Sequence, residues 1–216
     1  MAVEGRPAFT PNLRISPPLA PWEDEFFLRG LSESLFAIDE RGQVESELLT
    51  VAPEADNSPP RLYRIFSQEP LRLLRENVCQ LASAARLIFE QGWLRSHVTL
   101  EPGSDAHRTT ADQFDLLVRS TDGEIFIWVE VRRSAVELHK LVADLRACSR
   151  RGPHAHADCG FPQNHPRHEF CVTTKPMCLW AVAPDDQIVF ELQCEGPLVE
   201  LEPLDSLPRR SRFELG

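Results

Sequence analysis

Three residues combine types and spacing that could do chemistry: Asp115, Glu130 and Arg132. Glu130 and Arg132 fall in the run EIFIWVEVRR, residues 124–133. Successive side chains of a strand point to opposite faces, so Ile125, Ile127, Val129 and Val131 form one apolar face. Phe126, Trp128, Glu130 and Arg132 lie on the other. A carboxylate and a guanidinium beside a tryptophan are costly to bury without partners. Asp115 supplies one, because it opens the preceding strand in QFDLLVR and Asp122-Gly123 between the two runs is a hairpin signal. Asp115 lies seven or eight residues before that turn and Glu130 seven after it. The two acids are therefore expected nearly level across the hairpin, although a slip of one residue would face Asp115 the other way. Adjacent carboxylates repel unless they are protonated or bridged by a cation. A hard divalent ion with oxygen ligands, Mg2+ or Mn2+, resolves that repulsion. The plainer alternative is a Glu130–Arg132 ion pair on a solvent-facing strand with Asp115 as a surface acid. Phe126 and Trp128 on the same face weigh against it.

A second concentration of chemistry lies in RGPHAHADCGFPQNHPRHEFCVTTKP, which holds four of the seven histidines within fifteen residues. So long a stretch without periodicity suggests a functional or stapled loop. A structural Zn2+ held by Cys159, His165 or His168, and Cys171, with His154 or His156, would order it. The spacing Cys-x5-His-x2-His-x2-Cys matches none of the common zinc-finger patterns. The alternatives are a proline-braced loop with exposed histidines, or one that contacts phosphate through His165, Arg167 or His168. Cys79, Cys178 and Cys194 read as small buried hydrophobes.

The elements that must position these residues follow from periodicity. Residues 1–21 carry Pro7, Pro11, Pro17, Pro18 and Pro21 and suggest an extended arm. In residues 22–60, Phe36–Ile38 and Leu48–Val51 flank a turn at Glu40-Arg41-Gly42, as a small hairpin or a helix then a strand. From Pro70, Leu71, Leu74, Val78, Leu81, Ala85 and Ile88 make one helical stripe, with Gly92 as its stop. Strands are expected at His97–Leu100, Phe114–Arg119 and Glu124–Arg132. A helix from Ser134 to about Arg150 follows, with Ser134 and Glu137 in a capping-box pattern. The runs MCLWAVAP and QIVFELQ give two further strands, and PRRSRFELG a frayed tail. The divisions expected are an N-terminal extension over 1–60, a domain over 61–200 and a C-terminal tail over 201–216. No internal repeat is present.

With a net charge of −10, the chain does not coat nucleic acid by bulk electrostatics. A carboxylate metal site with a local basic strip is compatible with that charge. No apolar run is long enough to span a bilayer and the first residues lack the apolar core of a signal peptide, so a soluble cytoplasmic protein is expected. The phosphate-loop pattern Gly-x-x-x-x-Gly-Lys and the Gly-x-Ser-x-Gly elbow are both absent.

The order helix, three strands, helix, strand, with Asp115 followed by Val129-Glu130-Val131-Arg132, resembles the PD-(D/E)xK, or restriction-endonuclease-like, nuclease superfamily. The resemblance covers about residues 70–185 in element order and three residues at the motif. It implies an α/β (α+β) fold with an αβββαβ core and a mixed central sheet flanked by helices. It implies Mg2+ held by Asp115, Glu130 and the Val131 carbonyl, with Glu76 where some members add a third acid. Arg132 stands where the family usually has lysine. Arginine keeps the charge but does not serve as a base, so Lys140, two turns along the next helix, is a candidate for the missing ammonium. The implied activity is metal-dependent hydrolysis of DNA phosphodiester bonds, in defence, repair or mobile-element processing. Arg133, Arg146, Arg150 and Arg151 are candidate DNA-backbone contacts. The alternative is a catalytically inactive nuclease fold, retained as a binding or scaffold subunit among other protein subunits or as a homodimer.

Overall fold

The computed structural model describes residues 19–38, 43–48, 63–64, 75–100, 115–150, 160–161 and 164–213. Its centre is a six-stranded mixed sheet in the order β4-β5-β6-β7-β8-β9, formed by Val98–Leu100, Leu116–Arg119, Ile125–Val131, Cys178–Ala183, Asp186–Glu195 and Leu198–Leu204. The β6–β7 pair is parallel and its neighbours are antiparallel. A parallel pair needs a crossover, and α3 (Ala135–Ser149) and α4 (His165–Thr174) lie in that connection. A second sheet joins three short strands, β1 (Ala37–Ile38), β2 (Gln43–Glu45) and β3 (Tyr63–Arg64). Among the described residues no helix is long and apolar enough to cross a membrane.

Two apolar cores sandwich the large sheet. On one side α1 (Pro21–Ser32) and α2 (Arg75–Phe89) pack with Leu116, Val118, Ile127, Val129 and Val131. On the other, α3 and α4 pack with Leu117, Trp128, Leu179 and Ala181. The stripe foreseen on α2 holds at Val78, Leu81 and Ala85, but burial runs through every residue from Val78 to Ala85. The reason is that α2 packs against α1 as well as against the sheet. Leu71 and Leu74 lie outside the described residues. The stop at Gly92 has φ +79°, and the Trp93 N–H donates to the Leu87 carbonyl, closing the last turn as a left-handed C-terminal cap does.

The hairpin between β5 and β6 forms as expected, with Gly123 at φ +89° in its turn. Its register shifts between Val118 and Arg119: Val118 pairs with Ile127 and Arg119 with Ile125, leaving Phe126 as the extra residue. This β-bulge corrects the uninterrupted alternation read from sequence. Ile125 joins the α3/α4 core, while Phe126 stacks with Trp93 and Phe213 on the other side, at centroid distances of 5.4 and 5.0 Å. Phe213 is thus packed where a frayed tail is expected, and β9 carries the sheet to Leu204.

The sharpest departure is α4, ten residues where sequence suggests an irregular loop. Its one strong apolar cluster is Phe170-Cys171-Val172, so helical periodicity is hidden. The helix instead buries polar side chains, among them His165, Arg167 and His168.

Candidate functional site

Strand alternation and register settle the geometry of the acids. Leu116 pairs with Val129, so continuing the ladder by one pair sets Asp115 opposite Glu130. The bulge lies on the turn side of this pair and leaves its facing intact. The Asp115 backbone is held from α2, whose Gln80 Nε2 donates to the Asp115 carbonyl at 2.6 Å. Its side chain is held from β6, whose Val131 N–H donates to Oδ2 at 2.7 Å. Asp115 keeps about a fifth of its side-chain exposure, at 21%.

Glu130 is fully buried, at 0% exposure, and both its oxygens are bonded. The Trp128 indole Nε1 donates to Oε1 at 2.9 Å. Arg132 Nη2 donates to Oε2 at 2.8 Å. Arg167, reaching from α4, donates Nε to the same oxygen at 3.0 Å. The Arg132 guanidinium also donates Nη1 to the Val131 carbonyl and lies 3.7 Å from Asp115 Oδ2. One cation therefore touches or approaches both carboxylates and the intervening backbone oxygen. Low-dielectric surroundings make such a buried carboxylate costly unless charge-assisted hydrogen bonds satisfy it, which two guanidiniums here do.

The electrostatics register the crowding. Burial and the Glu130 charge push the Asp115 carboxyl well above the usual carboxylate range, against the lowering influence of the Val131 N–H and Arg132. For Arg132, burial alone would favour the neutral form, but the Glu130 and Asp115 charges outweigh it and raise its pKa.

The remaining residues divide clearly. Glu76, in the first turn of α2, lies 3.9 Å from Arg133 Nε, and its charge is felt at both Asp115 and Arg132. Lys140, on α3, is 74% exposed and ion-paired with Asp144 one helical turn away. Of the candidate backbone-contacting arginines, Arg133 is 68% exposed and Arg150 is exposed. Arg146 is committed elsewhere, donating to the Leu201 carbonyl and lying 5.0 Å from the centre of the Phe190 ring. Arg151 lies outside the described residues.

The histidine and cysteine set is regrouped. His165 and His168 stand three apart in the first turns of α4, and the cysteine beside them is Cys148 from the last turn of α3. Cys171 is a correction: it is buried in the apolar core with Phe170 and Leu179 and is absent from this cluster. His154, His156 and Cys159 lie outside the described residues. In sequence Cys148 reads as one more residue of the apolar stripe of α3, with Leu138, Leu141 and Leu145. Arg167, expected only as a possible phosphate contact of a loop, is instead bonded to Glu130 from a helix, for which the spacing of His165 and His168 was the available signal.

No protein-family model matches this chain, and no curated protein matches it in sequence.

Proposed function

We propose that the chain is a nuclease-fold protein that hydrolyses phosphodiester bonds of DNA using a Mg2+ or Mn2+ ion held by Asp115, Glu130 and the Val131 carbonyl. The observation that carries this reading is the convergence of those three oxygens on one cationic group, Arg132. The donor set is all hard oxygen and suits such an ion. The restriction-endonuclease-like core is supported by the run α2-β4-β5-β6-α3-β7, with β4 to β7 adjacent in order and β6 parallel to β7. The ion, when bound, would supply a water of lowered pKa and neutralise charge at the scissile phosphate.

Within this reading Arg132 turns its guanidinium from the carboxylates to the phosphate, where it stabilises developing charge without exchanging a proton. Arg167 stays on Glu130 and holds that carboxylate in its orientation. Glu76 is placed to hold Arg133, or to join the acid set when Arg133 engages the nucleic-acid backbone. Arg133, 68% exposed where β6 leads into α3, offers a cation to a nucleic-acid backbone next to the acids.

A second reading, a non-catalytic nuclease fold serving as a binding or scaffold subunit, rests on a specific observation. Glu130 already receives Trp128, Arg132 and Arg167, so the chain supplies its own counter-ions. Incubation of the purified chain with plasmid and single-stranded DNA, in Mg2+ and separately in Mn2+, separates the two. Metal-dependent cleavage supports the first reading, and intact DNA in both ions supports the second.

A further inference from the structure

We propose that Cys148, His165 and His168 form a zinc site that staples the end of α3 to the start of α4. The site stands apart from the carboxylate pair and does not rest on the nuclease reading. One ligating atom from each residue lies within 4.8 Å of the others. All three side chains are buried, at 0%, 2% and 4% exposure.

The orientation of His168 carries the case. Its Nε2 lies 2.7 Å from the Pro197 carbonyl oxygen, which can only accept. The proton therefore sits on Nε2, and Nδ1 presents its lone pair to Cys148 Sγ at 3.8 Å. A histidine that ligates through one nitrogen commonly donates the other N–H to a carbonyl or carboxylate in this way. His165 Nε2 lies 3.3 Å from the exposed carboxylate of Glu169, one turn further along α4. In a tetrahedral zinc site, sulfur and nitrogen ligands stand about 3.6 Å apart, from zinc–sulfur and zinc–nitrogen bonds of about 2.3 and 2.0–2.1 Å. The observed separation is within a small side-chain adjustment of that value.

The donor set selects the metal. One thiolate and two imidazoles suit Zn2+ and disfavour Mg2+, which takes oxygen. Binding releases the thiol proton of Cys148 and leaves a thiolate compensated by the ion. The staple joins three places: the last turn of α3, the first turns of α4, and the β8–β9 turn through Pro197. Arg167 lies between the two histidines in sequence, so fixing α4 here also fixes the guanidinium that reaches Glu130.

The test begins with the full chain purified without chelator and assayed for metal, where about one zinc per chain is expected. Zinc K-edge absorption on the same sample should show at least one sulfur together with imidazole nitrogen. Cys148→Ser and His168→Gln should lose the zinc, while Cys171→Ala retains it, with circular dichroism confirming that each is folded. Absence of zinc even after reconstitution of the reduced protein overturns the proposal, as does a donor set lacking sulfur or imidazole. Full zinc retention by folded Cys148→Ser also overturns it. If Cys148→Ser does not fold, His168→Gln and the wild-type donor set decide.

Discussion

Arg132 donates Nη2 to Glu130 Oε2 at 2.8 Å, binding a carboxylate that has no exposure to solvent. The same guanidinium approaches Asp115 and bonds to Val131, so any other cation entering these oxygens must displace it. Removing it should therefore lower stability and raise cation affinity together. Arg132→Ala is expected to lose about 1–3 kcal/mol in metal-free buffer, the scale for an under-satisfied buried polar group. Added Mn2+ should then raise its melting temperature by more than it raises that of the wild type. Equal shifts in the two proteins would contradict this.

The two acids should differ as mutational targets. Glu130→Ala leaves Arg132 and Arg167 without their shared carboxylate, and breaking a buried pair costs about 3–5 kcal/mol. Loss of function in that variant would therefore be confounded by loss of fold, contrary to the simple expectation from a surface metal ligand. Asp115→Asn keeps an oxygen for the Val131 N–H and should change stability by under about 1 kcal/mol. Urea unfolding of the pair measures the contrast, which equal destabilisation would refute.

Close packing makes a second stability prediction at Gly30. A methyl group there would stand 2.3 Å from Cε1 of the buried Phe36 ring, well inside contact distance. Gly30→Ala should cost about 1–3 kcal/mol through displacement of that ring. Gly30→Ala combined with Phe36→Leu should recover part of the loss, and a strictly additive double variant would argue against the contact.

Glu23 gives a pH dependence. It is fully buried in α1, where its carboxylate accepts from Arg75 and the Ala20 N–H, yet burial dominates and raises its pKa above 4.5. The native state therefore holds this proton to higher pH than the unfolded chain, and stability from this group falls as pH rises from about 4.5 through the folded value. The stability of the wild type relative to Glu23→Gln should decline over that window in denaturant titrations. A difference that is flat with pH would remove the effect.

Sequence carried the hairpin and its acids because both depend on local signals. Asp122-Gly123 fixed the turn, and two-residue alternation placed Asp115 and Glu130 on one face. What it missed required contacts across the chain. Arg167 reaches Glu130 over 37 positions, and Cys148 meets His168 over 20. Neither is visible to a periodicity argument, least of all from a helix as polar as α4. The Phe126 bulge was equally hidden, since Ile125 and Phe126 are both apolar and either fits either core.

The central claim is that Asp115, Glu130 and the Val131 carbonyl form a divalent-cation site. Titration of zinc-loaded wild-type protein and Asp115→Asn with Mn2+, read by the electron paramagnetic resonance of free Mn2+, tests it most directly. The account predicts saturable binding of about one Mn2+ per chain in the wild type, weakened at least about tenfold in the variant. Absence of binding in the wild type, or identical binding in both proteins, would contradict it.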